Sequence, residues 1–173
     1  MGVVDHIFLE TEGTIEIGQR LGVSFVKSQE ETVTINVEGR TIHIQQSPLG
    51  VMAISGVVWD CGLLMTDYLQ SVCTGPLESR LLLGKTLDIG CGTGIAGISA
   101  ALLGAETVCF TDTSAAEPCL VENLAIFSSE MVFSESAQPT FVPFNWSEPN
   151  IPSTLLQPWD TLLLSDVLYE TKV

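Results

Sequence analysis

The feature that most constrains this chain is a glycine loop set between an apolar strand and an apolar helix. Thr86-Leu87-Asp88-Ile89 reads as a short strand, Gly90-Cys91-Gly92-Thr93-Gly94 as a tight turn, and Ile95 to Leu103 as an Ala-rich helix closed by Gly104. Alternating glycines remove Cβ where a ligand or another backbone comes close, and a helix start offers unpaired N–H groups. A loop made tight only for packing is the weaker alternative for three glycines at this spacing.

The chain continues the alternation. Thr107 to Thr111 reads as a second strand ending in Asp112. Ser114 is expected to cap a helix running to about Phe127, with Pro118 in its first turn. A polar loop spans 128–138, Thr140 to Phe144 is a third strand, and Asp160 to Ser165 a fourth. This order predicts an α/β, Rossmann-like parallel sheet with right-handed crossovers and helices on both faces.

Upstream, Thr32 to Val37 and Thr41 to Gln45 alternate polar and apolar residues around Glu38-Gly39, the pattern of a β-hairpin with one greasy face. His43 falls on its polar face and is read as solvated surface. Ser47-Pro48-Leu49-Gly50 breaks the pattern, and Trp59 to Cys73 reads as a helix. Residues 1–30 read as an irregular acidic segment. The expected division is an N-terminal extension with the hairpin, 1–55, and a partial cofactor-binding domain, 56–173.

Composition narrows the classes. A chain of 173 residues, 46% hydrophobic with a net charge of −15, is long enough for one domain and too apolar for disorder. Its 6 Lys and Arg are scattered singly, so neither nucleic acid nor an anionic membrane is an expected partner, whereas a basic protein surface would be attracted. No apolar run reaches the ~18 residues of a membrane span. The first residues show neither a secretory nor a myristoylation signal, and the Asn145-Trp146-Ser147 sequon is read as chance. The 5 cysteines lack CxxC spacing and read as buried thiols of a reducing compartment, cytoplasmic or also nuclear. His6 and His43 stand apart from any cysteine cluster, so no metal site is expected.

Two ligands compete for the glycine loop. Gly92 to Gly97 satisfies GxGxxG and Asp112 follows at the ribose-acid distance, which suggests a nicotinamide dinucleotide and an oxidoreductase. Asp88, two residues before Gly90, argues the other way: a carboxylate there repels a pyrophosphate and attracts an ammonium group. S-adenosylmethionine carries an ammonium and a sulfonium and no phosphate, so it is favoured.

These residues carry a resemblance. Leu87 to Gly94 resembles motif I of the class I, seven-β-strand methyltransferases. Asp166-Val167-Leu168-Tyr169 resembles the DxxY motif of the family 16 protein methyltransferases, which act mainly on protein lysines and in one branch on histidine. Val57-Val58-Trp59-Asp60 is similar to the Trp segment before their core, Phe144-Asn145-Trp146 to the segment beside the adenine, and the hairpin to their β extension. The resemblance implies that Trp59, Asp88, Gly90, Gly92, Gly94, Asp112, Asn145 and Trp146 bind S-adenosylmethionine. It implies that Asp166 and Tyr169 face a protein substrate, most simply a lysine. The family often carries Asp where Asn145 stands. Its sheet runs 3-2-1-4-5-7-6, and this sequence supplies strands 1 to 4, so a C-terminally truncated chain, or a non-catalytic remnant, is expected. Plainer readings stay open: Asp88 as a loop cap, Asp112 as a helix cap, both tryptophans as core aromatics, and Asp166 as a cap with Tyr169 packed beneath.

Overall fold

The computed structural model describes residues 31–47, 54–130 and 138–167, without the side chains of 129 and 130. The expected acidic segment 1–30 and most of the loop before residue 138 lie outside them. The hairpin forms as β1 (Thr32–Val37) and β2 (Arg40–Gln45), antiparallel, with Val33 facing Ile44 and Ile35 facing Ile42 across it. Those four side chains and Val37 are buried, while His43 on the other face is exposed. Glu38 and Gly39 turn the chain with positive φ of 51° and 75°.

Helix α1 (Asp60–Cys73) follows, then β3 (Lys85–Ile89), α2 (Ile95–Leu102), β4 (Thr107–Asp112), a 3₁₀ turn at Ser114–Ala116, α3 (Glu117–Glu130), β5 (Thr140–Pro143), a 3₁₀ turn at Ser153–Leu155 and β6 (Thr161–Leu164). The four later strands form one parallel sheet in the order β5-β4-β3-β6. In chain order that is 3-2-1-4, as the resemblance implies.

Sheet register explains the packing. Asp88 lies beside Phe110 and Leu163 on one face, and Leu87 beside Cys109 and Leu162 on the other. On the first face Phe110 packs with Ile95, Ile98, Leu120, Phe127 and the buried side of the hairpin. Leu163 packs there with Leu69, Cys73, Ala96 and Ala100. All three helices and the hairpin therefore meet this face. On the second, Leu87 and Cys109 pack on Leu155 of the 3₁₀ turn. Helices α1 and α2 approach closely: a Cβ on Gly62 would stand 2.8 Å from Ile95 Cγ2, and Thr66 and Ser99 share a buried hydroxyl–hydroxyl bond of 2.9 Å.

The third helix departs from its sequence reading at both ends. Ser114 does not cap it; Thr113 precedes a single 3₁₀ turn, and the α-helix begins at Glu117 with Pro118 in its first turn. Just ahead of that turn, Asp112 Oδ1 accepts the Thr113 N–H at 2.7 Å. The helix also runs on through Ser128 to Glu130.

Candidate functional site

The loop after β3 is built from three glycines in left-handed conformation, with φ of 69° at Gly90, 51° at Gly92 and 84° at Gly94. The Gly90 and Cys91 N–H groups both donate to Thr111 O, at 2.8 and 3.2 Å, which folds the loop over the end of β4. Space is as restrictive as φ. A Cβ on Gly90 would lie 2.9 Å from Val167 and 3.2 Å from the Trp146 ring. On Gly92 it would lie 3.1 Å from Ser55 O. Gly94 turns the other way, toward Leu120 and Phe110 in the core.

Above the loop is a cleft. Val57, Trp59 and Gly62 form one wall, Gly90 to Thr93 with Asp88, Ile95 and Ala96 the other, and Ser165 closes it at the end of β6. The cleft sits where the order of the sheet reverses: β3 leads on to β4 and β5 on one side and has β6 on the other. That is where ligands of open parallel sheets bind.

Asp88 is the chemically distinctive wall residue. It is 1% exposed, and its Oδ2 accepts the Gly97 N–H at 2.8 Å. Burial pushes its pKa up to about 7; the Gly97 N–H opposes that shift and the charge of Asp112 adds to it. The bond to Gly97 occupies a free N–H of the first turn of α2, so the carboxylate does cap the helix start as well as face the cleft. No Lys or Arg stands among the cleft residues.

The other expected residues distribute around this centre. Asp112, the last residue of β4, accepts the Gly92 N–H at 2.9 Å through Oδ2. Asn145 Oδ1 accepts the Ser147 N–H at 2.9 Å, a local turn that presents Trp146. Trp146 is 49% exposed, with its ring against Gly90. Trp59 is 47% exposed and is anchored by its indole N–H on Ile54 O at 2.8 Å. Neither tryptophan is a core aromatic. Asp166 is exposed with a φ of 57°, a strained value for a non-glycine residue, and the turn brings Val167 against Gly90. Tyr169 lies outside the described residues.

The structure thus brings Trp59, Asp88, Gly90 and Gly92 into one cleft and Trp146 to its rim. Asp112 holds the loop from the end of β4, and Gly94 and Asn145 shape the backbone. Sequence reasoning missed Val57, Gly62 and Ser165 as wall residues. Ser165 was findable, since it directly follows a parallel strand. Cys91 is buried in the wall, and its thiol is raised well above the usual value by burial and then by Asp88 and Asp112, which keeps it un-ionised. Cys61, at the start of α1, is raised by burial and then by the charges of Asp166 and Asp60. All five cysteines are free thiols.

Comparison with known proteins gives a consistent picture. Protein N-lysine methyltransferase METTL21A of Mus musculus is 32% identical over 151 residues, 85% of this chain and 62% of that protein. Protein-lysine N-methyltransferase rrg1 of Schizosaccharomyces pombe is 37% identical over 95 residues, 50% of this chain and 30% of that protein. Protein N-terminal and lysine N-methyltransferase efm7 of Aspergillus fumigatus is 26% identical over 141 residues, 77% of this chain and 51% of that protein. The chain therefore spans between 30% and 62% of the length of these curated relatives. A family model described as lysine methyltransferase matches residues 36–173, so most of the hairpin, the glycine loop and β6 all fall within it, and the chain belongs to that methyltransferase family.

Proposed function

We propose that this protein binds S-adenosylmethionine in the cleft above the glycine loop and transfers its methyl group to a lysine side chain of another protein. The observation that carries the reading is Asp88: a buried carboxylate facing a glycine-lined cleft that has no basic residue. That donor set suits a ligand with an ammonium group and opposes a pyrophosphate. It favours S-adenosylmethionine over a nicotinamide dinucleotide despite the GxGxxG spacing at 92–97.

When bound, S-adenosylmethionine supplies an electrophilic methyl carbon on a sulfonium centre. Asp88 and the backbone of Gly90 to Gly92 would hold its amino-acid end, and Asp112 its ribose side. Trp59 and Trp146 offer apolar faces at the mouth, which exclude water. Asp166, exposed on the turn after β6, would hold the incoming lysine ammonium and orient its nitrogen once solvent has taken a proton; the same reading gives Tyr169 a hydrogen bond to that nitrogen. These roles are positional, and proximity and orientation are the main source of rate in such a displacement. The net charge of −15 supports a partner with a basic surface, and five free thiols support a reducing compartment, cytoplasmic or nuclear.

Calorimetric titration with S-adenosylhomocysteine tests the cofactor half. Saturable binding by the wild type, lost in Asp88→Ala, is the expected result; equal binding by the variant overturns the assignment. Incubation with isotopically labelled S-adenosylmethionine and a protein extract, followed by mass spectrometry, tests the acceptor. Label on lysine is expected, and label confined to histidine or arginine overturns the acceptor class.

A further inference from the structure

Three consecutive residues at the end of the hairpin hold both walls of the cleft. Gln45, the last residue of β2, directs its N–H and C=O away from β1 and toward α3, where Asn123 bonds both and Cys119 Sγ also donates to the C=O at 3.5 Å. The Gln45 N–H donates to Asn123 Oδ1 at 2.7 Å, and Asn123 Nδ2 donates back to Gln45 O at 3.1 Å. The same Nδ2 donates to Thr93 O at 3.0 Å, inside the glycine loop. Asn123 is 1% exposed; its Nδ2 also donates to Cys119 Sγ at 3.8 Å, and the three bonds to backbone groups define its amide orientation. On the opposite wall, Gln46 Oε1 accepts the Val58 N–H at 2.6 Å, and the Ser47 N–H donates to Gly56 O at 2.7 Å. Those two bonds bracket Val57 and precede Trp59, both wall residues.

From this arrangement we infer that the hairpin is the positioning element of the cofactor cleft, with Asn123 and Gln46 as its two positioning residues. The inference rests on the cofactor reading above for its consequence, and on the hydrogen bonds alone for its mechanism. Neither side chain touches the cleft. Each ties a backbone group of one wall to the end of the same hairpin, so the width of the cleft is set before a ligand arrives. Such preorganisation strengthens binding by lowering the ordering cost. Without Asn123, Thr93 O loses its buried donor and the loop is freed on that side.

Hydrogen exchange of the full chain without ligand is the direct test. In Asn123→Ala the amides of residues 91–97 are expected to exchange about tenfold faster, as loss of a buried hydrogen bond implies, with β3 and β4 unchanged. Unchanged exchange, or equal acceleration throughout the sheet, overturns the inference. Gln46→Met, of similar volume, reads the other wall and serves if the first variant does not fold. Faster exchange at residues 56–59 is expected, and none there overturns it. Affinity for S-adenosylhomocysteine should fall about tenfold in either variant; wild-type affinity in a folded variant overturns the positioning role. A wild-type chain that binds no S-adenosylhomocysteine overturns the cofactor reading alone, because the exchange measurement needs no ligand.

Discussion

The Asp112 carboxylate reaches back twenty residues to accept the Gly92 N–H at 2.9 Å, while its second oxygen accepts the Thr113 N–H at 2.7 Å. One side chain thus joins the glycine loop to the segment that leads, through the 3₁₀ turn, into the third helix. An amide in its place can accept only through one atom. Asp112→Asn is therefore expected to lose one charge-assisted bond and, at a partly exposed position, about 1 kcal/mol of stability in chemical denaturation. Affinity for S-adenosylhomocysteine should fall with it. If both quantities match the wild type, Asp112 is a surface acid without a role in the loop.

Asp88 makes the site pH-dependent, and the sign follows from its raised pKa. The native state keeps its proton up to about pH 7, whereas the unfolded chain releases it near the ordinary value of 3.8. Between those values the native state binds more protons, so stability falls as pH rises, and the loss is complete above about pH 7. The full cost is on the order of 4 kcal/mol at one pKa unit per 1.36 kcal/mol. Asp88→Asn should flatten this slope in denaturation curves taken from pH 4 to pH 8. Ligand binding runs oppositely, because pairing with the ligand's ammonium group needs the ionised form. Wild-type affinity for S-adenosylhomocysteine should drop about tenfold from pH 8 to pH 6. A flat profile over that range would count against Asp88 as the ammonium partner.

Gly97 shows how tightly the helix sits on the sheet beneath the site. It lies inside α2, where alanine is intrinsically better by about 1 kcal/mol. Yet a Cβ there would press into the Phe110 ring, 2.8 Å from Cζ, and would stand 2.9 Å from Asp88 Oδ2. Gly97→Ala is expected to be net destabilising by about 1–3 kcal/mol, because the neighbours are a buried ring and a hydrogen-bonded carboxylate. A thermal melt at or above the wild-type midpoint would show that α2 can lift away from β4.

What was legible in the sequence was local. Strand, glycine loop and helix occupy a dozen consecutive residues, and each hydrophobic run between turn residues marked its strand. The tertiary ties were not. Asn123 bonds Gln45 across 78 positions, and an asparagine flanked by Glu122 on a helix reads as solvent face until the hairpin is placed against it. Asp112 was legible as an acid after a strand, but not its grip on Gly92, which depends on how the loop folds over β4. The all-apolar Leu162-Leu163-Leu164 likewise concealed an alternation: Leu163 is buried, while its neighbours are half exposed.

Trp59 and Trp146 separate binding from stability. Both are about half exposed beside the glycine loop, so truncating either removes only part of the area that a buried tryptophan would lose. Trp146→Ala should cost on the order of 1–3 kcal/mol of unfolding free energy, below the ~3–5 kcal/mol of a fully buried tryptophan. It should also weaken S-adenosylhomocysteine binding several-fold. Calorimetry and denaturation on the same sample decide this: a large stability loss with intact binding would make Trp146 a structural cover for Gly90.

The edge at β6 carries the last expectation. Among the described residues β6 pairs only with β3, and Leu162 and Leu164 project from it with 54% and 49% exposure. An apolar edge strand with free backbone groups is a template for pairing with another chain. The 173-residue chain should therefore self-associate as its concentration rises, in light scattering or sedimentation. The Leu162→Lys, Leu164→Lys double variant should remain monodisperse, since edge lysines oppose strand pairing. Leu163, which packs on Ala96 and Ala100, is left intact so that the core is untouched. Equal association of both proteins would place the contact elsewhere, and equal monodispersity would mean that another segment of the chain covers this edge.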